Sequence, residues 1–261
     1  MSASVVGIFG VGAIGGSIGL RARRNGARVV GADCDGAALQ QARSLGAIDS
    51  VAEPHELANL CDVLVVASHL GPTLREIERL AAAPAVAASL IVDVASVKTP
   101  VVRAAEGLRT FVATHPMGGT ERSGIRAARA DLFDGCAWAY VPTGSEELNG
   151  RARAFIESMG GVPVAIGAQE HDRAAALSSH LPQVVAWRYA QLVRTSDSGA
   201  QRLCGPVARE LLRIAGMSSE MWRDVLRANA RNIEPPLREL AAELQAAADA
   251  LAANREELIV E

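Results

Sequence analysis

The sequence predicts an α/β fold, with a parallel sheet in its first part and an all-helical second part. In the first part, apolar segments alternate with helical stretches of about 10 to 15 residues, which is typical of βαβ units. A glycine motif directly follows the first apolar segment and opens the first helix. From residue 170 to residue 254, apolar residues recur only with helical periodicity. We therefore predict two domains, residues 1–166 and residues 167–261.

The elements of the first domain follow from its apolar runs and from the glycines that end helices. Gly26 and Gly46 each stand where a helix would stop, because glycine adopts the left-handed conformation of a helix C-terminus without strain. Strands are predicted over Ser4–Phe9, Arg28–Ala32, Asp62–Ala67, Leu90–Val94, Phe111–Thr114, Cys136–Val141 and Val162–Ile166. Helices are predicted over Ile14–Asn25, Gly36–Leu45, Thr73–Ala82 and Glu146–Met159.

The second domain is predicted to contain four or five helices. Breaks are expected where glycine, proline or a short polar run interrupts the periodicity. These breaks lie at Asp197–Gly199, Gly205–Pro206, Gly216–Ser219 and Pro235–Pro236. The segment Ala241–Ala253 is predicted to be a helix rather than a linker, because alanine has the highest helix propensity.

Composition excludes several classes of protein. Of the 261 residues, 49% are hydrophobic and 21% are charged, which indicates a globular chain. The net charge of −3 argues against a nucleic-acid partner. No apolar stretch is long enough to span a membrane, and the N-terminus lacks the basic start of a secretory leader. The four cysteines form no C-x-x-C pair, so we expect no metal site and a reduced, cytoplasmic setting.

Residues 10–15 form a G-x-G-x-x-G motif, which predicts a Rossmann-type dinucleotide site. Gly10 permits a tight turn, Gly12 lets backbone approach a pyrophosphate, and Gly15 lets the helix pack closely on the strand. Ala13 and Ile14 open the helix, whose N-terminal N–H groups face the phosphates. The alternative interpretation is a plain glycine turn.

An acidic residue at the end of the second predicted strand indicates which dinucleotide binds. Asp33 stands 18 residues after Gly15, where a carboxylate accepts hydrogen bonds from the ribose hydroxyls and repels a 2′-phosphate. No arginine or lysine stands beside Asp33, so we predict NAD rather than NADP. Ser68, which follows the third long strand, is included in the predicted cofactor site.

Asp93-Val-Ala-Ser96-Val-Lys98 follows a predicted strand and has two interpretations. Ser96 could simply cap the next helix, or the segment could belong to a functional site. The basic residues favour the second interpretation, because 25 of the 26 are arginine and Lys98 is the single lysine. Retaining lysine here indicates a need for a compact ammonium group rather than a planar guanidinium.

His115 is the strongest candidate catalytic residue. It is predicted at the carboxyl end of a strand, where open α/β sheets bind ligands, and Pro116 follows it directly. Histidine titrates near neutral pH and therefore suits proton transfer. His55, His69 and His171 are interpreted as structural histidines.

Two segments of the second part carry further candidates. His180 opens a long helix in Ser178-Ser-His-Leu-Pro-Gln183, and Arg213 and Trp222 lie downstream. The arginine and the tryptophan could instead form a surface ion pair and a packing contact.

Together these segments resemble the prephenate/arogenate (cyclohexadienyl) dehydrogenase family, from about residue 5 to about residue 233. The matching motifs are G-x-G-x-x-G-G-S at 10–17, D-V-x-S-V-K at 93–98, H-P-M-x-G-x-E-x-S-G at 115–124, H-L-P at 180–182 and R-I-A…M-W-R-D at 213–224. The histidine motif is the most specific of them. Ala95 and Gln183 depart from the family, which often has glycine and a second histidine there.

The resemblance implies NAD-dependent oxidative decarboxylation of prephenate or arogenate, a step in tyrosine biosynthesis. It implies that His115 hydrogen-bonds the 4-hydroxyl group of the substrate and assists hydride loss, and that Ser96 shares this hydroxyl. The other substrate-binding residues are expected to be His180, Arg213, Glu121, Lys98 and Trp222, with Arg213 facing a carboxylate. The helical domain is expected to form a homodimer.

Other interpretations remain open from the sequence. A related enzyme could act on the 4-amino analogue of the substrate. β-Hydroxyacid dehydrogenases and ketopantoate-type reductases share this domain order but use a catalytic lysine in the helical domain, and residues 167–261 contain none. A non-enzymatic NAD sensor that dimerises through its helices would need no converging histidine, serine and arginine.

Overall fold

The computed structural model describes residues 4–120, 122–217 and 219–255, without the side chains of residues 219 and 220. The chain forms two compact units. The first consists of Met1–His171 with Gly216–Val225, and the second of Asp172–Ala215 with Leu226–Glu261. These units do not coincide with the predicted domains, because the first unit ends at His171 and also includes Gly216–Val225. The domain boundary between residues 166 and 167 stays a prediction.

The first unit contains a six-stranded sheet in which every pairing is parallel. The strands lie in the order β3-β2-β1-β4-β5-β6, so the direction of winding reverses between β1 and β4. That reversal leaves a crevice at the carboxyl edge of the sheet, where such folds bind ligands. The strands are β1 (Val5–Phe9), β2 (Arg28–Ala32), β3 (Ser50–Val51), β4 (Val63–Val66), β5 (Leu90–Asp93) and β6 (Phe111–Val112).

Both faces of this sheet are buried, which explains its valine- and isoleucine-rich strands. Val65 belongs to one apolar cluster, whereas its neighbours Leu64 and Val66 belong to another. Successive side chains of a strand point to opposite faces, so the two clusters lie on opposite sides of the sheet. The helices of this part are α1 (Ala13–Arg24), α2 (Gly36–Ser44), α3 (Leu70–Ala81), α4 (Thr99–Ala104) and α5 (Glu146–Ser158).

The predicted strand Phe111–Thr114 is wrong in one respect, because the chain leaves the parallel sheet after Val112. A separate strand, β7 (Thr114–Pro116), pairs antiparallel with β8 (Ala137–Tyr140), and β8 pairs in parallel with β9 (Val162–Ala165). Since β7 lies at the edge of this three-stranded sheet, Pro116 is tolerated there without a backbone N–H. His115 therefore lies within a short strand of the second sheet.

The prediction of four or five helices after residue 167 is too low, because the described residues of that region form six α-helices. Pro235 and Pro236 do not break the last of them. The φ angle of proline suits a helix, and the alanine-rich segment that follows has high helix propensity. The helices are α6 (Ala168–Ala175), α7 (Leu181–Thr195), α8 (Ser198–Arg202), α9 (Pro206–Ala215), α10 (Ser219–Ala228) and α11 (Ala230–Ala252), with a π-helical turn at Ala176–His180.

The described residues contain neither a membrane-spanning helix nor a cluster of metal-binding side chains. None of their helices combines the length and the apolar character that a membrane span requires. In the same described part of the chain, no group of three histidine, cysteine or acidic side chains could hold a metal ion.

Candidate functional site

The glycine loop between β1 and α1 has the geometry that a dinucleotide site requires. Gly10 has a φ of +98°, and its N–H donates to the carbonyl oxygen of Ala32 at 2.8 Å. A Cβ atom at Gly15 would lie 1.9 Å from the Gly10 oxygen, so α1 approaches the loop too closely for any side chain. A Cβ atom at Gly12 would meet nothing within 4 Å, which leaves the helix N-terminus open to a ligand.

Asp33 is fixed beside this loop at the carboxyl end of β2. Its Oδ2 accepts a hydrogen bond from Val11 N at 2.8 Å, and its Oδ1 accepts one from Asp35 N at 2.9 Å. Each carboxylate oxygen has a second lone pair with which it could accept from a ribose hydroxyl. Ser68 lies on the other side of the loop, where its N is 2.9 Å from the position of a Gly10 Cβ, and its hydroxyl bonds to that of Thr73 at 2.9 Å.

A buried ion pair stands at the same sheet edge, at the end of β5. Lys98 and Asp93 both have side chains with no solvent exposure, and Lys98 Nζ donates to Asp93 Oδ2. The carboxylate also accepts from the backbone N–H groups of Ala95 and Thr114, each at 2.9 Å. These bonds compensate for burying the carboxylate, because a charge inside a protein needs several partners.

The ion pair holds the residue that precedes His115. Lys98 Nζ donates to the Thr114 carbonyl oxygen at 2.6 Å, and the Thr114 hydroxyl donates to the Asp93 carbonyl oxygen at 2.5 Å. Trp138 Nε1 in turn donates to the Thr114 hydroxyl at 3.0 Å. Thr114 is therefore fixed through its N–H, its carbonyl and its side chain. These bonds hold the backbone directly before His115 in place.

His115 pairs with a second histidine. Its Nδ1 lies 2.9 Å from Nε2 of His171, and the two rings meet edge to face with centroids 5.1 Å apart. Both side chains are buried, at 7% and 3% relative exposure. One of the two facing nitrogens must donate and the other accept, so each ring restricts the tautomer of the other.

The remaining predicted residues of the first unit lie in different surroundings. Ser96 is half-buried, three positions after the end of β5. The burial of Lys98 favours a role in holding the backbone before His115 over the predicted contact with substrate. Trp222 lies on α10 and is buried at 6% exposure. Glu121 lies outside the described residues.

The second unit carries the other two predicted residues. His180 ends the π-helical turn and is fully buried, and its Nδ1 lies 3.0 Å from Nδ2 of Asn229. Arg213 lies in the last turn of α9, where its guanidinium bonds to both carboxylate oxygens of Glu210 at 2.7 and 2.9 Å. Gln183 is buried, and its amide donates to the Ile214 carbonyl at 2.9 Å, which ties α7 to the end of α9.

Three polar residues of these networks could not be assigned from the sequence. The sequence predicts a structural role for His171, because nothing in it links this residue to a histidine 56 positions away. Asn229 stands within a helical region without a motif of its own. Asp93 begins a recognised segment, and the signal in the sequence is its place at the end of an apolar strand, directly after Ile91 and Val92.

Fold and geometry define the first unit as a Rossmann-type nucleotide-binding domain with a buried histidine pair beyond its sheet edge. The family model described as "Prephenate dehydrogenase, nucleotide-binding domain" matches residues 18–164, just after the glycine loop. The model described as "Prephenate dehydrogenase, dimerization domain" matches residues 167–261. The chain belongs to the prephenate dehydrogenase family.

Individual relatives agree with this family. The chain is 37% identical over 245 residues to "Probable prephenate dehydrogenase NovF" of Streptomyces niveus, covering 91% of this chain and 66% of the relative. It is 30% identical to the prephenate dehydrogenase of Bacillus subtilis, covering 84% and 62%. The chain thus spans slightly less than two thirds of the length of these curated relatives.

Solved structures support the same fold. The crystal structure of prephenate dehydrogenase from Aquifex aeolicus, in complex with hydroxyphenyl propionate and NAD⁺, has a TM-score of 0.88 and 25% sequence identity. That match covers 100% of this chain and 94% of the other. The predicted two-part α/β architecture is confirmed by this likeness and by the observed sheet.

Proposed function

We propose that this protein catalyses the NAD-dependent oxidative decarboxylation of prephenate, arogenate or both. The products are 4-hydroxyphenylpyruvate and tyrosine respectively, so the reaction serves tyrosine biosynthesis. Family membership supports the proposal, as do the relatives whose names state prephenate or cyclohexadienyl dehydrogenase activity. The observation that carries it is the buried His115, held at the sheet edge by Thr114 and paired with His171.

NAD fits the residues around the glycine loop. The space beside Gly12 and the N-terminus of α1 would hold the pyrophosphate, and Asp33 would accept hydrogen bonds from the adenosine ribose. The Asp33 carboxylate would repel a 2′-phosphate, which favours NAD over NADP. The bound nicotinamide supplies the acceptor for the hydride that leaves C4 of the substrate.

His115 acts on the 4-hydroxyl group through Nε2. For Nε2 to accept that hydrogen bond, Nδ1 must carry the ring proton and donate it to Nε2 of His171. As C4 loses hydride, His115 draws the hydroxyl proton toward itself and so raises the electron density at C4. The C1–carboxylate bond then breaks, carbon dioxide leaves, the electron pair enters the ring, and the proton returns to the phenol oxygen.

The protein mainly orients and polarises its substrate, because formation of the aromatic ring drives the reaction. Positioned general base assistance is typically worth about 10² to 10⁴ in rate. Ser96 would share the hydroxyl, and Arg213 would face a carboxylate, for which the planar guanidinium is well suited. Glu121, His180 and Trp222 complete the proposed substrate-binding set, whereas buried Lys98 would act through the backbone before His115.

The working form is proposed to be a cytoplasmic homodimer that assembles through the helical part. The second unit exposes several large apolar side chains, and burying them against a second copy would remove this area from water. They are Leu177, Leu192, Leu203, Val207, Leu244 and Leu251, with exposures of 59 to 84%. Light scattering should give twice the 27.2 kDa chain mass, and a 27.2 kDa particle at micromolar concentration would contradict the dimer.

The function is tested by a steady-state assay of the purified protein with NAD⁺. Prephenate, arogenate and the 4-amino analogue of prephenate are each supplied, and reduced cofactor is followed by its absorbance. Turnover of prephenate or arogenate with release of carbon dioxide is the expected result. Turnover of the 4-amino analogue alone would assign a different substrate, and no turnover of any of the three would refute the proposal.

A further inference from the structure

The side-chain amide of Asn229 bonds to His180 inside the second unit. Its Nδ2 lies 2.7 Å from the carbonyl oxygen of Asp172 and 3.0 Å from Nδ1 of His180. Its Oδ1 accepts a hydrogen bond from Nδ2 of Asn232 at 2.7 Å. His180 and Asn229 are both buried, at 0% and 2% exposure.

The orientation of this amide follows from its neighbours. A backbone carbonyl can only accept hydrogen bonds, so the group that faces Asp172 O must be the NH₂ of Asn229. Turning the amide over would place two acceptor oxygens 2.7 Å apart. The contact with Asp172 fixes the orientation, and the bond from Asn232 to Oδ1 agrees with it, so the NH₂ group also faces His180.

The tautomer of His180 follows from that orientation. An NH₂ group can only donate, so Nδ1 of His180 must accept, and a neutral imidazole with a bare Nδ1 carries its proton on Nε2. A proton on Nδ1 would face the N–H donors of Asn229 in a buried site. We infer that Asn229 fixes His180 as a neutral ring whose Nε2–H is a hydrogen-bond donor.

The donor tautomer decides what His180 can do in the reaction. If the proposed function holds, on which this step rests, His180 binds an acceptor oxygen of the substrate, either a carboxylate or a keto oxygen. It does not serve as a general base through Nε2, because that nitrogen already carries a proton. Asn229 is then a positioning residue that acts through His180, and the base role cannot pass from His115 to His180.

The tautomer can be measured without any assay of activity. The protein is labelled with ¹⁵N-histidine, and long-range ¹H–¹⁵N spectra distinguish protonated from bare ring nitrogens. The chain has five histidines, so a His180→Gln sample identifies the His180 signals. The expected spectrum shows a protonated Nε2 and a bare Nδ1 at neutral pH. A protonated Nδ1 would overturn the inference, whether or not the protein proves to be a dehydrogenase.

Asn229→Asp tests the cause, because a carboxylate accepts where the amide donates. The proton of His180 should move to Nδ1, and KM for the substrate should rise by about tenfold, with unchanged NAD⁺ affinity. Asn25→Asp is the control, since Asn25 donates to Ser158 O on the surface of the first unit. A His180 spectrum unchanged by Asn229→Asp would overturn the role of Asn229, and an unchanged KM would overturn the donor role toward substrate. If Asn229→Asp fails to fold, the wild-type spectrum still decides the tautomer.

Discussion

Replacing Lys98 with methionine tests the buried ion pair that holds Thr114. Methionine has nearly the same length and an unbranched chain, so Lys98→Met removes the ammonium group with little change in volume. The bonds that are lost include those to Asp93 Oδ2 and to the Thr114 carbonyl. The Asp93 carboxylate stays buried without the ammonium group, although the backbone N–H groups of Ala95 and Thr114 still donate to it.

The magnitude follows from this loss. Removing one partner of a buried pair typically costs about 3 to 5 kcal/mol, because the remaining charge is uncompensated. In a chain of this size, each kcal/mol lowers Tm by about 2 to 4 °C, so Tm should fall by roughly 6 to 20 °C. The segment before His115 also loses a support, and kcat should fall measurably at temperatures where the variant stays folded.

Thermal melting followed by circular dichroism measures the effect, with two matched variants. Asp93→Asn combined with Lys98→Met removes both charges and should recover part of the lost stability, because no lone charge remains buried. Arg129→Met removes the cation of an exposed pair with Asp131 and should leave Tm essentially unchanged. Equal Tm values for Lys98→Met and the wild type would refute the structural role of the pair.

Three further predictions address the cofactor, the histidine pair and a buried thiol. The wild-type kcat/KM should be at least about tenfold higher with NAD⁺ than with NADP⁺, and Asp33→Ser should reduce this ratio. Equal kcat/KM values of the wild type with the two cofactors would contradict the role of Asp33. His171→Phe should lower kcat by about 10- to 100-fold with unchanged NAD⁺ affinity, because residues that orient a functional histidine typically have effects of this size. An unaffected kcat would show that His171 does not orient His115. Burial raises the pKa of the Cys61 thiol to about 12 from its ordinary value of 9.0. At pH 9 iodoacetamide should therefore modify the exposed Cys34 much faster than Cys61, and equal labelling rates would contradict the burial of Cys61. The free energy of unfolding should fall above pH 9, because the Cys61 thiol ionises at lower pH in the unfolded chain than in the folded one.

The local parts of the fold were predictable from the sequence because they depend on near neighbours. The strand Arg28–Ala32 matches the structure residue for residue, and the ends of most other predicted strands and helices in the first part lie within three positions of the observed ends. Gly10 and Gly15 have the close backbone approaches expected of the motif. Periodicity and glycine chemistry act within a few residues, and the sequence displays both directly.

Features that depend on distant partners were not predictable. The departure of the chain from the parallel sheet after Val112 depends on pairing with β8, more than twenty residues later. The helix that continues through Pro235 and Pro236 shows that a strong helical context can outweigh a local breaker. The pairing of His115 with His171 likewise depends on the tertiary fold, since the two residues lie 56 positions apart and share no motif.

The pH dependence of kcat in His115→Asn shows whether His115 is the base that takes up the hydroxyl proton. Asparagine keeps some hydrogen-bonding capacity but cannot take up the hydroxyl proton. We expect kcat to fall by about 10² to 10⁴ with little change in NAD⁺ binding, and the loss of activity toward acid pH to vanish from what remains. A variant that retains more than about a tenth of the wild-type kcat, with its acid limb intact, would show that the base is a residue other than His115.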